Sequence, residues 1–428
     1  MLVKFSVCNF LSFKENTSIS FSASSLTEYR EDNIFDSPIN NDLCLLKSLI
    51  IYGANASGKS NLFGALNFMK RFVLTSSKDS TSGEEIMVER FKLSTETLNK
   101  PSSFELEFII DSTKYRYGFE VDTKRVHSEY LYYQIKTKEY VLFKREFQDI
   151  IRGKKIDKTN EKLFEITREN ALFLSVCAQF NDSLATSIMK EFRNINFLNG
   201  MDDLGSSEFT ARMLTDNTSN GFINTLLRSA NLGFKELTVE RVATEDLLAK
   251  SDIPKELQKI ILKNNPENNI VRTKHDVYNE KKEIVSDEFF DLNSNESLGT
   301  RKFFALAGPL VDTLLNGTVL IIDEFDSRLH PELCKGIIRL FNSKRNNPKN
   351  AQLIIASHNS SFINPGNRLF RRDQIIIARK NKFGMTKIKS LFDLRIRKDA
   401  SFEKDYLSGK YEDEELDLNV INQFNLDF

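Results

Sequence analysis

The chain has no tryptophan, and only four cysteines, four histidines and eight prolines among its 428 residues. Each scarcity excludes something. Cys8, Cys44, Cys177 and Cys334 lie far apart without paired spacing, which argues against a zinc ribbon or a disulfide framework and suits a reducing compartment. The 60 Lys plus Arg are balanced by 60 Asp plus Glu, so net charge gives no broad electrostatic adhesion to nucleic acid; a local basic groove depends on distribution instead. No apolar run reaches the roughly 18 residues of a membrane span, and the N-terminus has no basic segment leading into a long apolar stretch. A cytoplasmic protein without a membrane partner is expected.

What is present points to a folded, soluble chain. Hydrophobic residues make up 40% and charged residues 28%, enough for an ample core. The length allows roughly two or three domains at about 150 residues each. Phenylalanine is abundant at 35 residues, and that excess is expected in core packing rather than in a stacking platform for bases.

The opening Met1-Leu2-Val3-Lys4-Phe5-Ser6-Val7 and the stretch Ser18-Ile19-Ser20-Phe21 alternate as half-buried strands do. Residues 43–52 form a short apolar run that meets a turn, and residues 59–74 follow as an amphipathic helix. Residues 75–84 are rich in Ser, Thr, Lys and Asp and predict an exposed loop. Two alternating runs, 104–110 and 115–121, flank Asp111-Ser112-Thr113 and predict a β-hairpin, continued as a meander by 129–143. Residues 183–264 are mainly helical in pattern without a sustained heptad. Lys263-Asn264-Asn265-Pro266-Glu267-Asn268-Asn269 predicts a loop, 270–277 a strand, and the acidic residues from Tyr411 a mobile tail.

Four elements carry chemistry. Gly53-Ala54-Asn55-Ala56-Ser57-Gly58-Lys59-Ser60 matches G-x-x-x-x-G-K-[ST] in full, between a strand and a helix. Backbone N–H groups of such a loop turn inward on phosphates, and the helix N-terminus adds its positive dipole end. Lys59 is expected on the β- and γ-phosphates and Ser60 on Mg²⁺. Next, Gly317-Thr318-Val319-Leu320-Ile321-Ile322-Asp323-Glu324 is an apolar strand ending in two carboxylates, which face a cation or a reacting water if their burial is to be tolerated. Asp323 is expected to hold Mg²⁺ and Glu324 to polarise the attacking water. Third, Ser297-Leu298-Gly299-Thr300 opens an apolar helical run, 303–315, either as an ordinary N-cap or as an anion site. Fourth, Ala356-Ser357-His358-Asn359 follows a buried strand, where His358 can sense a γ-phosphate.

With these elements in this order, the chain resembles the ABC-type ATPase heads of the RecF, SMC and OLD group. Asp323-Glu324-Phe325-Asp326-Ser327-Arg328-Leu329-His330-Pro331 is similar to that group's Walker B and D-loop, Ser297-Leu298-Gly299-Thr300 to its signature, and His358 to its switch histidine. Closer still, Phe5-Ser6-Val7-Cys8-Asn9-Phe10-Leu11-Ser12-Phe13-Lys14, the phosphate loop with Asn61 and Leu62, residues 170–176 and Arg371-Arg372-Asp373-Gln374-Ile375 resemble prokaryotic AAA15-type abortive-infection ATPases such as AbiL and RloA.

The resemblance implies an α/β fold, with a mixed P-loop sheet, an antiparallel β subdomain and a helical insert. It places two lobes at 1–182 and 270–428 around an insert at 183–269. It also implies an ATP sandwich between two copies of the chain. One copy would contribute Gly53, Asn55, Ala56, Ser57, Gly58, Lys59, Ser60 and Asn61, and the other Ser297 and Gly299. Catalysis would rest on Glu324, His358 and Lys59, and Mg²⁺ on Ser60 and Asp323. A glutamine that reaches the metal in that group has three candidates here, Gln134, Gln148 and Gln179. The residues after His358 show no carboxylate arrangement of a Toprim nuclease, so a separately encoded nuclease-like effector is expected, with this chain as sensor or regulator in anti-phage defence. The opposing expectation is a RecF- or Rad50-like clamp on DNA, for which Lys154-Lys155, Arg371-Arg372 and residues 395–398 are the candidate basic clusters.

Overall fold

The computed structural model describes residues 1–39, 42–78, 81, 83–153, 161–201, 203–216, 218–248, 254–264, 267–398 and 400–411. The chain divides into two compact units, one of Met1–Phe197, Gly317–Phe325 and Lys335–Phe428, the other of Leu198–Asn316 and Asp326–Cys334.

The first unit holds two large sheets. One is antiparallel and seven-stranded, in the order β10 (Asp149–Arg152), β9 (Lys138–Glu146), β8 (Val126–Ile135), β7 (Thr113–Val121), β6 (Ser102–Ile110), β1 (Leu2–Cys8) and β2 (Thr17–Ser20). Its middle is the expected hairpin and meander: β6 and β7 pair from Ser102↔Val121 to Ile110↔Thr113 across a two-residue turn in which Asp111 takes φ +51°. The other sheet is mixed and six-stranded, in the order β11 (Ile195–Asn199), β15 (Val319–Asp323), β16 (Gln352–Ala356), β5 (Ser48–Tyr52), β17 (Ile375–Lys380) and β18 (Thr386–Ser390). Strands β15, β16, β5 and β17 are parallel neighbours, and β18 turns back antiparallel at the edge. Leu49, Ile50, Ile51 and Tyr52 of β5 are all fully buried, as an unbroken apolar strand in a parallel sheet must be. A small antiparallel pair, β3 (Ile34–Asp36) and β4 (Cys44–Leu46), completes this unit.

The helix Lys59–Thr75 buries Leu62, Phe63, Ala65, Leu66, Met69 and Val73, the i, i+3, i+4 stripe of an amphipathic helix. Much of the phenylalanine excess is core, though Phe147, Phe180, Phe222 and Phe383 are exposed: Phe10, Phe68, Phe72, Phe104 and Phe119 pack ring against ring at centroid distances such as 4.9 Å for Phe68–Phe104. Under the antiparallel sheet lies a fully buried ionic cluster. The Glu129 carboxylate accepts from Tyr117 Oη (2.8 Å) and from the backbone N–H groups of Phe173 (2.6 Å) and Leu174 (3.0 Å) at the start of the helix Phe173–Gln179. Arg145 lies 3.6 Å from the same carboxylate and donates to the carbonyls of Phe147, Arg168 and Ala171. Burial pushes the Glu129 carboxyl up and the Tyr117 phenol well above its ordinary value.

The second unit contains the antiparallel sheet β12 (Glu236–Ala243), β13 (Glu267–Tyr278) and β14 (Ile284–Asp291). Its long helix, Leu298–Asn316, continues through Pro309. Proline cannot supply the N–H that Ala305 C=O would normally receive. Thr210 Oγ1, on the helix Leu204–Leu214, stands 3.2 Å from that carbonyl and accepts from Gly308 N–H at 3.0 Å, so a side chain of a neighbouring helix covers the gap.

Several local expectations need correction. Residues 75–84 are not simply exposed: Ser76 and Ser77 are buried and hydrogen-bonded to Leu172 and Ser175. Asn264 ends a helix and Asn268 and Asn269 belong to β13, so the Asn-rich stretch is no continuous loop; its Asn265 and Pro266 lie outside the described residues. Tyr411 is buried, while residues 412–428 of the expected tail lie outside the described residues. No described helix is long and apolar enough to cross a membrane.

Candidate functional site

Three parallel strands of the mixed sheet, β15, β16 and β5, end within one residue of the same level. Ile322 of β15, Ile50 of β5 and Ile375 of β17 are in register with one another through Ile355 of β16. One residue further come Asp323 and Ala356, which end β15 and β16, and Ile51, which Tyr52 follows as the last residue of β5. Adjacent strands stand about 4.8 Å apart, so β15 and β5 are separated by roughly 10 Å. Three of the four expected elements therefore emerge along one carboxyl edge: the phosphate loop after β5, Asp323-Glu324 at β15, and Ser357-His358 after β16. Ligands of open α/β sheets bind at such an edge.

The phosphate loop is built closely. A Cβ on Gly53 would fall 2.3 Å from Ala378 O and 2.4 Å from Ser57 Oγ, so only glycine fits between strand β17 and the loop's far side. Ala56 has φ +62° and Gly58 φ +104°, the left-handed turns that curl the backbone around. Ala56 accepts this conformation at a cost that a glycine would not carry. Lys59 Nζ closes the ring by donating to Gly53 O (2.8 Å) and Ala54 O (3.1 Å). Gly53, Ser57, Gly58 and Lys59 are buried; Asn55, Ala56 and Ser60 are exposed, and Asn61 is half-buried. The helix Lys59–Thr75 has no side-chain cap, so its first N–H groups are left for an anion. Ser57 Oγ is buried without any hydrogen-bond partner, an unmet polar group inside the cradle.

Asp323 is half-buried and accepts from Glu324 N–H at 3.1 Å, and Glu324 is exposed. Glu324 has φ +50°, a strained turn directly after the strand, and Phe325 N–H donates to Ala356 O at 3.0 Å with its ring fully buried. That anchor fixes the direction in which the two carboxylates leave β15. After β16, Ser357 is buried with its N–H on Ile51 O, and Tyr52 Oη donates to Asn359 O at 2.8 Å. The exposed His358 is thus held between two residues tied to the phosphate-loop strand.

In the second unit Ser297 caps the helix Leu298–Asn316: its Oγ accepts from Thr300 N–H at 3.1 Å and lies 2.9 Å from Thr300 Oγ1. Gly299 backs onto Arg328 O, 3.1 Å from where its Cβ would be. Asp203 joins the same region, accepting from Lys302 Nζ at 2.7 Å and standing 3.7 Å from Arg328 Nη1. His275 lies 2.8 Å from Glu296, the residue before Ser297. The N-cap reading of Ser297 holds, and Ser297 is an exposed residue of its unit.

Among the glutamine candidates, Gln134 donates to Lys136 O, Gln148 is engaged with Arg145 and Thr167, and Gln179 is the exposed last residue of its helix. Of the basic clusters, Arg371-Arg372 is held by the fold. Arg371 is fully buried on Asp373 and on the carbonyls of Ser24, Leu26 and Glu28, and Arg372 pairs with Glu28. That pair is structural and offers no basic surface; Lys154 and Lys155 lie outside the described residues.

Sequence reasoning passed over Thr386, which starts β18 and reaches the phosphate loop, and gave Ser12 no role of its own. Ser12 sits in the opening motif, but nothing local to Thr386 marks it, because the contact spans more than 300 residues of chain.

Residues 48–364 match the AAA_21 family, described as "AAA domain, putative AbiEii toxin, Type IV TA system". A comparison with curated proteins gives no match. Among solved structures, the SMC head domain from Thermotoga maritima is 14% identical, with TM-score 0.43, over 91% of this chain and 98% of that one. A Pyrococcus furiosus Smc head with an extended coiled coil, bound to the C-terminal domain of ScpA, is 11% identical with TM-score 0.38, over 96% and 98%. The α/β fold here sets the phosphate-loop strand inside a mixed sheet, with an antiparallel sheet in the same unit.

Proposed function

The chain belongs to the AAA_21 family, and from that premise we propose that it hydrolyses ATP with Mg²⁺ in a site shared between two copies of itself. The observation that carries this reading is the common carboxyl edge at which the phosphate loop, Asp323-Glu324 and His358 emerge.

The residues fit the nucleotide and the metal. The loop offers inward N–H groups, the Lys59 ammonium, the unmet Ser57 hydroxyl and a first helical turn without a cap. Ser60 and Asp323 are hard oxygen donors that would hold Mg²⁺, which takes one or two protein oxygens and fills its shell with phosphate oxygens and water. When bound, Mg²⁺ would neutralise charge on the β- and γ-phosphates. Glu324 polarises the attacking water, and His358 contacts the γ-phosphate and reports its loss. Lys59 bridges the β- and γ-phosphates, while Gly53, Asn55, Ala56, Ser57, Gly58 and Asn61 shape the pocket. Ser297 and Gly299, surface groups of their unit, complete the site of a second copy, so ATP acts as a clamp.

The family description names a toxin of a type IV toxin–antitoxin system. That description supports a place in abortive-infection defence; within it, the chain acts as a cytoplasmic sensor or regulator with a separately encoded, nuclease-like effector. Of the insert expected at 183–269, residues up to Phe197 belong to the first unit, and a partner would dock on the part from Leu198 onward. The DNA-clamp reading loses one of its supports, because Arg371 and Arg372 are committed internally.

The test is Glu324→Gln. Turnover should fall by about 10²-fold or more, while ATP binding persists and light scattering shows an ATP-dependent dimer. Undiminished turnover, or a monomer at saturating ATP, would sink the proposal.

A further inference from the structure

Three buried hydroxyl- or carbonyl-bearing residues connect the back of the phosphate loop to two other elements. Asn61 Nδ2 donates to Ser12 Oγ at 2.8 Å; Thr386 Oγ1 lies 2.8 Å from Ser12 Oγ and 2.9 Å from Ser57 O. Ser12, Ser57 and Thr386 are 5%, 3% and 2% exposed. The proton positions follow from chemistry. Ser57 O can only accept, so the single Thr386 proton goes there, and the Ser12 proton goes to Thr386. The result is one directed chain, Asn61 to Ser12 to Thr386 to Ser57, whose members polarise one another.

We propose that Thr386 is a positioning residue of the nucleotide site, acting through the Ser57–Gly58 peptide. In a trans peptide the C=O and the following N–H point opposite ways. Pinning Ser57 C=O on Thr386 therefore aims Gly58 N–H away from Thr386, into the mouth of the loop. The same hydroxyls occupy the space over Gly58: a Cβ there would meet Thr386 Oγ1 at 2.2 Å and Ser12 Oγ at 2.9 Å. Ser12 itself is held by Thr386, whose N–H donates to Ser12 O at 2.8 Å. The chain thus sets a donor for the phosphates common to ADP and ATP, which such loops cradle.

This inference rests on the reading of residues 53–60 as the nucleotide site, and the experiment separates the two. Fluorescent ADP and ATP analogues are titrated into wild type, Thr386→Val, Thr386→Ser and Ser12→Ala, with Lys59→Ala as control and thermal melting alongside. Thr386→Val keeps the shape and removes the hydroxyl, leaving Ser57 O buried and unmet. Affinity for ADP and ATP should fall by the same factor, about tenfold, with KM rising and kcat within about twofold. Thr386→Ser should restore both. Thr386→Val at wild-type affinity, or a lower melting temperature with affinity intact, overturns the positioning role. If Thr386→Val does not fold, Ser12→Ala decides by the same criteria. If wild type binds neither nucleotide, or Lys59→Ala binds as well as wild type, it is the nucleotide-site reading that fails.

Discussion

Replacing Gly58 by alanine perturbs the phosphate loop at its tightest point, and the structure sets the size of the effect. Gly58 has φ +104°, where a side chain is strained by about 1–2 kcal/mol. The new methyl would also lie 2.2 Å from Thr386 Oγ1 and 2.8 Å from Thr386 Cγ2; overpacking of this kind costs about 1–3 kcal/mol. The sum is roughly 2–5 kcal/mol. Asn55 and Ala56 are exposed, so the loop can give way locally and leave the sheet intact. The loss should then fall on nucleotide affinity, from roughly 30-fold to several-thousand-fold, with little change in melting temperature. Gly64→Ala is the matched control in the same helix. Its methyl would meet only Leu11 Cδ1, at an ordinary 3.6 Å, and it removes a glycine that costs a helix about 1 kcal/mol. Titration with ADP and a thermal melt decide the matter. If Gly58→Ala binds ADP within twofold of wild type at an unchanged melting temperature, the geometric argument for this loop is wrong.

Two further outcomes are expected. Arg145→Met strands the buried Glu129 carboxylate and should cost about 3–5 kcal/mol in urea unfolding, with much of that recovered when Glu129→Gln is added; strictly additive losses would show that the two residues do not act as a pair. Lys59→Ala and Ser297→Arg should each abolish turnover alone, whereas mixing them should restore a fraction of it, because one composite site then combines an intact phosphate loop with an intact Ser297. Continued inactivity of a mixture shown to form mixed dimers would refute a shared site.

The sequence by itself determined the local pieces. Residues 53–60 spell their loop because phosphate cradling needs glycines, a lysine and a hydroxyl at fixed spacing, all within one turn of chain. The β6–β7 hairpin and the helix Lys59–Thr75 were legible for the same reason: alternation and the 3.6-residue period are properties of contiguous residues. Likewise Asp323-Glu324 could be read from a strand that stays apolar until it ends. What remained hidden is what depends on distant residues meeting. Arg371 and Arg372 look like a basic patch until Asp373 and Glu28 are seen against them. Asn268 and Asn269 look like loop until Val242 and Arg241 of β12 pair with them and supply the ladder. Only the tertiary structure brought the ends of β5, β15 and β16 to within one residue of the same level. Only it placed Thr386 behind Ser57, because hydrogen bonds across hundreds of residues follow from how the strands stack and leave no period or motif in the sequence.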